Sequence, residues 1–128
     1  MTGTSQDTSP YVVAVFNQKG GISKTTTSDN LAAALAAFGR RVLMIDLDSQ
    51  GDTTKSLGVD HTGRIGVRNL LLGEKEVAEV LQPTPFEGIS IIPSTYSLAG
   101  IEFEMSERQN SQRTLAAALS RPIGQNLP

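Results

Sequence analysis

Three short apolar runs punctuate the chain: Tyr11-Val12-Val13-Ala14-Val15-Phe16, Val42-Leu43-Met44-Ile45 behind Arg41, and Ile89-Ser90-Ile91-Ile92 ahead of Pro93. Runs of this length, rich in β-branched residues, predict strands, and the unbroken apolar character of the first two suits parallel strands buried on both faces. Between them the period changes. Leu31, Ala32, Leu35, Ala36 and Phe38 form an apolar stripe on a helix from Thr25 to Phe38, and Gly39 supplies its stop. Strand, helix, strand is a βαβ unit, with a right-handed crossover expected. The fold class is α/β, with a mostly parallel sheet and flanking helices.

Downstream, Gly51 to Gly66 is polar and punctuated by glycine, which predicts a loop with a short helical turn. Val67 to Leu72 and Lys75 to Leu81 read as short helices separated by Gly73, with Leu70-Leu71-Leu72 as core. Gln82-Pro83-Thr84-Pro85 reads as a connection. Ser97 to Met105 and Ser111 to Leu119 read as helices, and Glu102, Glu104, Glu107 and Arg108 as a solvated face. Pro122 blocks continuation. The division expected is a flexible tail over 1–10, one domain over 11–120 and an irregular end over 121–128.

Composition narrows the function classes. The 128 residues suit one domain, and 38% hydrophobic residues with a net charge of −2 suit a soluble globular chain. Aromatic residues are few, so the core is aliphatic. No basic excess announces nucleic acid. The absence of cysteine excludes disulfides, thiolate metal sites and cysteine catalysis within this chain. No apolar run approaches the ~18 residues of a membrane span, and the polar start lacks the features of a secretory signal. The expected location is cytoplasmic. The single histidine, His61, reads as a solvated loop residue, since one histidine without a matched partner makes neither a triad nor a metal set.

The chemistry concentrates in two places. Lys19-Gly20-Gly21-Ile22-Ser23-Lys24-Thr25-Thr26 lies between the first strand and the helix. Glycines there let backbone N–H groups face a polyphosphate, and the helix N-terminus adds unpaired N–H groups and partial positive charge. Lys24 can neutralise phosphate oxygens, and the Thr25 hydroxyl suits Mg²⁺, a cation that takes oxygen ligands and arrives with phosphate. The general P-loop pattern is only partly met, because Gln18 and Ser23 stand where glycines are usual. The plainer alternative is a glycine turn joining strand to helix. The second place is Asp46-Leu47-Asp48-Ser49-Gln50-Gly51, at the carboxyl end of the second strand. Ligands bind at that edge of a parallel sheet. An extended strand end would point Asp46 and Asp48 the same way, with Asp48 orienting an attacking water and Asp46 in the second shell of Mg²⁺. A solvated acidic loop is the alternative.

Taken together these residues resemble the ParA/MinD family of deviant Walker-A ATPases, in particular its ParA/Soj partition branch. Lys19-Gly20-Gly21-Ile22-Ser23-Lys24-Thr25 satisfies the deviant motif K-G-G-x-x-K-[ST], which accounts for Gln18. Asp46-Leu47-Asp48-Ser49-Gln50-Gly51 resembles D-x-D-P-Q-G, with Ser49 at the proline. Ile91-Ile92-Pro93-Ser94 and Leu98-Ala99-Gly100 resemble the third strand and the helix after it. The resemblance runs from Val12 to Leu119. It implies a P-loop ATPase with ATP and Mg²⁺ held by Lys19 to Thr26, Lys24 as the phosphate lysine, Thr25 as a Mg²⁺ ligand and Asp48 positioning water. It implies that Lys19 reaches the partner's nucleotide in an ATP-bound homodimer. It further implies action on non-specific DNA with a ParB-like centromere-binding protein, no membrane association, and a nucleoid-associated cytoplasmic location.

Two departures carry expectations. Ser23 replaces the more frequent glycine, which costs about 1–2 kcal/mol if that position needs positive φ and almost nothing otherwise. No aspartate follows Asp60, so the family's Walker B strand, which lies beside the P-loop strand, has no counterpart here. The expectation is a chain truncated before that strand, with Tyr11–Phe16 exposed along one edge and prone to self-association. The alternative function is a non-catalytic fragment that binds nucleotide weakly or interferes with a full-length homologue's dimer. A MinD-like role would need a C-terminal membrane helix, nitrogenase-reductase relatives use cysteines, and the D-x-D-x-Q-G element points away from dethiobiotin-synthetase-like enzymes.

Overall fold

The computed structural model describes residues 10–15, 22–63, 65–106 and 114–119. In chain order these form α1 (Ile22–Ala37), β1 (Val42–Ile45), α2 (Asp52–Ser56), α3 (Val67–Leu71), α4 (Val77–Val80), β2 (Gln82–Pro83), β3 (Ile89–Ile92), a 3-10 turn at Tyr96–Leu98, α5 (Ile101–Ser106) and α6 (Thr114–Leu119). Among the described residues the sheet has the order β1-β3-β2. β1 and β3 run parallel, with Val42 opposite Ile89 and Ile45 opposite Ile92, while β2 pairs antiparallel with β3.

Side-chain alternation along the strands builds two apolar layers. Ile89 and Ile91 of β3 join Met44 of β1, Ala32 of α1 and Leu57 on one face of the sheet. Ile92 faces the other way, into Val67, Leu70, Val77, Val80 and Leu98. All four residues of β3 are buried, as expected for a strand with neighbours on both edges and helices on both faces. Leu70 and Leu72 are core, as their pattern predicted. α3 is fastened to the end of β3 by the Val67 N–H, which donates to the Pro93 carbonyl at 2.8 Å.

α1 stops as Gly39 requires. Gly39 has φ +82, its N–H donates to the Ala36 carbonyl at 2.9 Å, and the Arg40 N–H reaches back to the Leu35 carbonyl at 3.0 Å. This pair of bonds is a Schellman termination, which closes carbonyls that would otherwise end unpaired.

The run at Tyr11–Phe16 departs from the expected buried strand. Residues 11–15 form no strand, and Tyr11, Val12 and Val13 are 99%, 80% and 63% exposed; Phe16 lies outside the described residues. An apolar run encodes a preference for burial, but a strand exists only where a neighbour supplies its hydrogen bonds. Here β1 pairs with β3 along one edge, and no described strand lies along its other edge. The α1 stripe is also only half used. Ala32 is buried and Ala36 packs near Gly88, but Leu31, Leu35 and Phe38 are exposed.

Smaller differences have local causes. Gln82-Pro83, expected as connection, adds a two-residue edge strand, a position where proline's missing N–H is harmless. The helix expected over Ser97–Met105 divides at Gly100, φ +84, into the 3-10 turn and α5. The last helix begins at Thr114; residues 111–113 of the expected range lie outside the described ones. Glu104, expected on a solvated face, instead accepts from Arg68 Nη2 at 2.7 and 2.6 Å, joining α5 to α3. Both side chains are partly exposed, so screening limits the pair. Glu104→Ala is expected to cost about 0.5–1 kcal/mol in urea denaturation, falling further in high salt.

Candidate functional site

The site grows from the end of β1. The chain leaves extended geometry at Asp46, whose buried carboxylate organises everything after it. Asp46 Oδ1 accepts the Asp48 N–H at 3.0 Å, an Asx-type turn. Asp46 Oδ2 accepts both the N–H and the hydroxyl of Thr54, at 3.0 and 2.6 Å. Thr54, in the middle of α2, is fully buried, and its hydroxyl oxygen accepts the Ser94 N–H at 2.9 Å. The Ser94 hydroxyl donates back to the Asp48 carbonyl at 2.6 Å. Asp46, Asp48, Ser94 and Thr54 thus form a closed circuit that locks the loop after β1 to the loop after β3.

The two aspartates are therefore not equivalent. Asp46 is turned inward with three donors on its oxygens. Asp48 is half-buried, with Oδ1 accepting the Gln50 N–H at 3.0 Å on the exposed side of the loop. The circuit holds its backbone from both sides, through its N–H and its carbonyl. That arrangement suits Asp48 to present a carboxylate at a fixed place and suits Asp46 to hold it there. Of the members of the circuit, Thr54 and Ser94 were not singled out by their chemistry in the sequence; the available signal for Ser94 was a hydroxyl two residues past the end of β3, in a fold that binds ligands at that edge, and Thr54, inside α2, carried none.

His61 is a correction. It is 4% exposed, not solvated. Its ring lies against Gly51 and meets the Tyr96 ring edge-on, with centroids 4.4 Å apart. Sequence context gave a polar loop; burial is decided by Gly51, Ser94 and Tyr96, which the fold brings around it.

At the other motif, Lys19, Gly20 and Gly21 lie outside the described residues. α1 begins at Ile22, earlier than the expected Thr25, so Ile22, Ser23 and Lys24 form its first turn. Ser23 therefore has right-handed helical backbone, and the strain considered for a positive φ does not arise. Thr25 is half-buried and Thr26 exposed. α1 is tied to α2, and through it to the Asp46 circuit, by the Ser56 hydroxyl, which donates to Asp29 Oδ2 at 2.7 Å. The donors present fit a hard cation that arrives with phosphate: a threonine hydroxyl at a helix start and carboxylates at a strand end. Among the described residues no group of three His, Asp or Glu side chains is placed to cage a metal alone.

Residues 11–125 match the family model AAA_31, described as an AAA domain. The chain is 39% identical over 109 residues to the sporulation initiation inhibitor protein Soj of Bacillus subtilis strain 168, covering 84% of this chain and 43% of that protein. It is 41% identical over 109 residues to the chromosome partitioning protein ParA of Caulobacter vibrioides, covering 84% of this chain and 41% of that one. A solved structure named as cobyrinic acid a,c-diamide synthase of Mycobacterium smegmatis, with bound ATP analog and magnesium, is 42% identical with a TM-score of 0.79, over 84% of this chain and 44% of that chain. The chain thus spans about two-fifths of the length of the curated relatives it matches.

Proposed function

The chain belongs to the ParA/MinD-type family of AAA-domain, P-loop ATPases, and from that membership we propose that it binds ATP with Mg²⁺ and hydrolyses it in plasmid or chromosome partition. The observation that carries the reading is the circuit fixing Asp48 at the carboxyl end of β1. Phosphoryl transfer to water asks the protein chiefly to position and to stabilise charge. In this reading Lys24 neutralises phosphate oxygens, Gly20, Gly21 and the first turn of α1 offer N–H groups to phosphate, and Thr25 ligates Mg²⁺, with Asp46 behind it. Bound Mg²⁺ would neutralise charge building on the phosphate oxygens. Asp48 orients the attacking water. Lys19 completes the nucleotide site of a second subunit in an ATP-bound homodimer, which acts in the cytoplasm on nucleoid DNA with a ParB-like partner.

The test is steady-state ATP turnover with Mg²⁺, with and without DNA, beside direct nucleotide binding. Lys24→Ala is expected to weaken nucleotide affinity about 100-fold, as loss of a charge-assisted phosphate contact does. Asp48→Ala is expected to keep affinity and lose about 100-fold in kcat, the pattern of an interaction made only in the transition state. Equal turnover in all three proteins would sink the assignment.

One observation favours a second reading. The Mycobacterium smegmatis structure at 42% identity bears the name of a diamide synthase and holds an ATP analog and magnesium. Turnover that requires a corrinoid carboxylic acid and an amide-nitrogen donor, and ignores DNA, would select that reading.

A further inference from the structure

We propose that His61 is a positioning residue for Asp48, acting through Ser94 and Gly51; the catalytic part of this rests on the ATPase reading above. The ring is 4% exposed, and its Nδ1 is buried without a hydrogen-bond partner. An apolar ring at this place would avoid the cost of that orphaned nitrogen, so the other nitrogen is where the imidazole earns its position. Nε2 lies 3.4 Å from Ser94 Oγ. The single hydroxyl proton of Ser94 is committed to the Asp48 carbonyl at 2.6 Å. Nε2 must then be the donor toward Ser94, with the lone pair on Nδ1. A donor behind the Ser94 oxygen holds that hydroxyl in the rotamer that reaches Asp48 and strengthens its own donation.

The same ring bears on the loop a second way. A Cβ on Gly51 would lie 2.1 Å from its Cδ2, so ring and loop backbone are in direct contact where the Asp46–Gly51 loop turns into α2. His61 is itself held from both sides. The N–H of Tyr96 donates to its carbonyl at 3.3 Å. The Thr62 hydroxyl and N–H both donate to Asp60 Oδ1, a turn that aims the residue between them inward and keeps the Asp60 carboxyl below its ordinary value. His61 is therefore a wedge between the loop that carries Asp48 and the loop that carries Ser94.

The experiment compares wild type, His61→Phe, which keeps a ring but no donor, and His61→Gln, whose amide nitrogen can stand near the place of Nε2. Two readouts are taken on the full chain: ATP turnover, and hydrogen exchange at the Asp48, Gln50 and Gly51 amides without nucleotide. His61→Phe is expected to lower kcat about tenfold with KM within about twofold, and to speed exchange at those amides about tenfold, while His61→Gln recovers most of both. Unchanged exchange in His61→Phe overturns the proposal, as does an equal loss in the Phe and Gln variants, which would mark simple packing. Should His61→Phe not fold, His61→Leu, smaller and equally without a donor, takes its place with the same expectations. If wild type hydrolyses no ATP, the ATPase reading falls, and the exchange rates still decide whether His61 holds the loop.

Discussion

Asp46→Ala is expected to lower stability by about 4 kcal/mol, read as a shift in the urea midpoint at unchanged m-value. The carboxylate accepts from the Asp48 N–H, the Thr54 N–H and the Thr54 hydroxyl. Thr54 is fully exposed to none of the solvent that could replace those bonds, since its relative accessibility is 0%. Truncation leaves the buried Thr54 N–H and hydroxyl without their acceptor, each costing about 1–3 kcal/mol, and removes the acceptor of the part-buried Asp48 N–H at smaller cost. Relief from burying the carboxylate itself offsets part of this. Asp46→Asn should cost about half as much, because one amide oxygen still accepts while the nitrogen faces the Thr54 N–H, donor against donor. A loss below about 1 kcal/mol for the alanine variant would mean that the circuit is not what fixes the loop.

A domain of this length has a total stability of roughly 6–19 kcal/mol, so a change of that size separates structure from chemistry only with care. Turnover in an Asp46 variant would fall for two reasons at once, lost folding and a displaced Asp48. Asp48→Ala avoids this. Its Oδ1 accepts the Gln50 N–H two residues on, at the exposed side of the loop, and Asp48→Ala leaves the backbone bonds of the circuit in place, so a surviving fold with lost turnover points to chemistry.

How much of this was legible follows from which facts are local. Val42–Ile45 and Ile89–Ile92 declared themselves because a short β-branched run between polar residues has few other solutions, and Gly39 because a helix end that needs positive φ selects glycine. Residues 11–15 carry the same pattern as Val42–Ile45, yet only the latter is a strand. The difference lies in the neighbour that supplies hydrogen bonds, which the run itself does not encode. Asp46 and Asp48 were legible as a pair but not in their division of labour. That division depends on Thr54 eight positions on and on Ser94 forty positions beyond Thr54. His61 was misread for the same reason: its loop is polar, and its burial comes from Tyr96 and Gly51, far apart in sequence. The family motif pointed to Lys24 and Asp48 but gave no hint of Thr54, Ser94 and His61, which hold the loop that carries Asp48.

Gly51→Ala is expected to cost about 3–4 kcal/mol, and its cause can be divided by experiment. Gly51 has φ +68 and ψ +29, left-handed helical backbone, which charges any residue with a Cβ about 1–2 kcal/mol. The remainder is steric. The new Cβ would stand 2.1, 2.3 and 2.7 Å from Cδ2, Nε2 and Cγ of His61, and the ring cannot retreat freely because Tyr96 closes against it and Ser94 lies beyond. Gly51 also starts α2, its carbonyl accepting the Lys55 N–H at 2.9 Å, so displacing it disturbs the helix that carries Thr54. In a His61→Ala background the steric part vanishes while the backbone part remains. The cost of Gly51→Ala should then fall to about 1–2 kcal/mol, a coupling of about 2 kcal/mol between the two positions. Strictly additive losses would show that ring and glycine do not press on each other in solution. A coupling of the expected size would instead make the fit of an imidazole against a bare glycine backbone the feature that keeps the loop bearing Asp48 in register with α2.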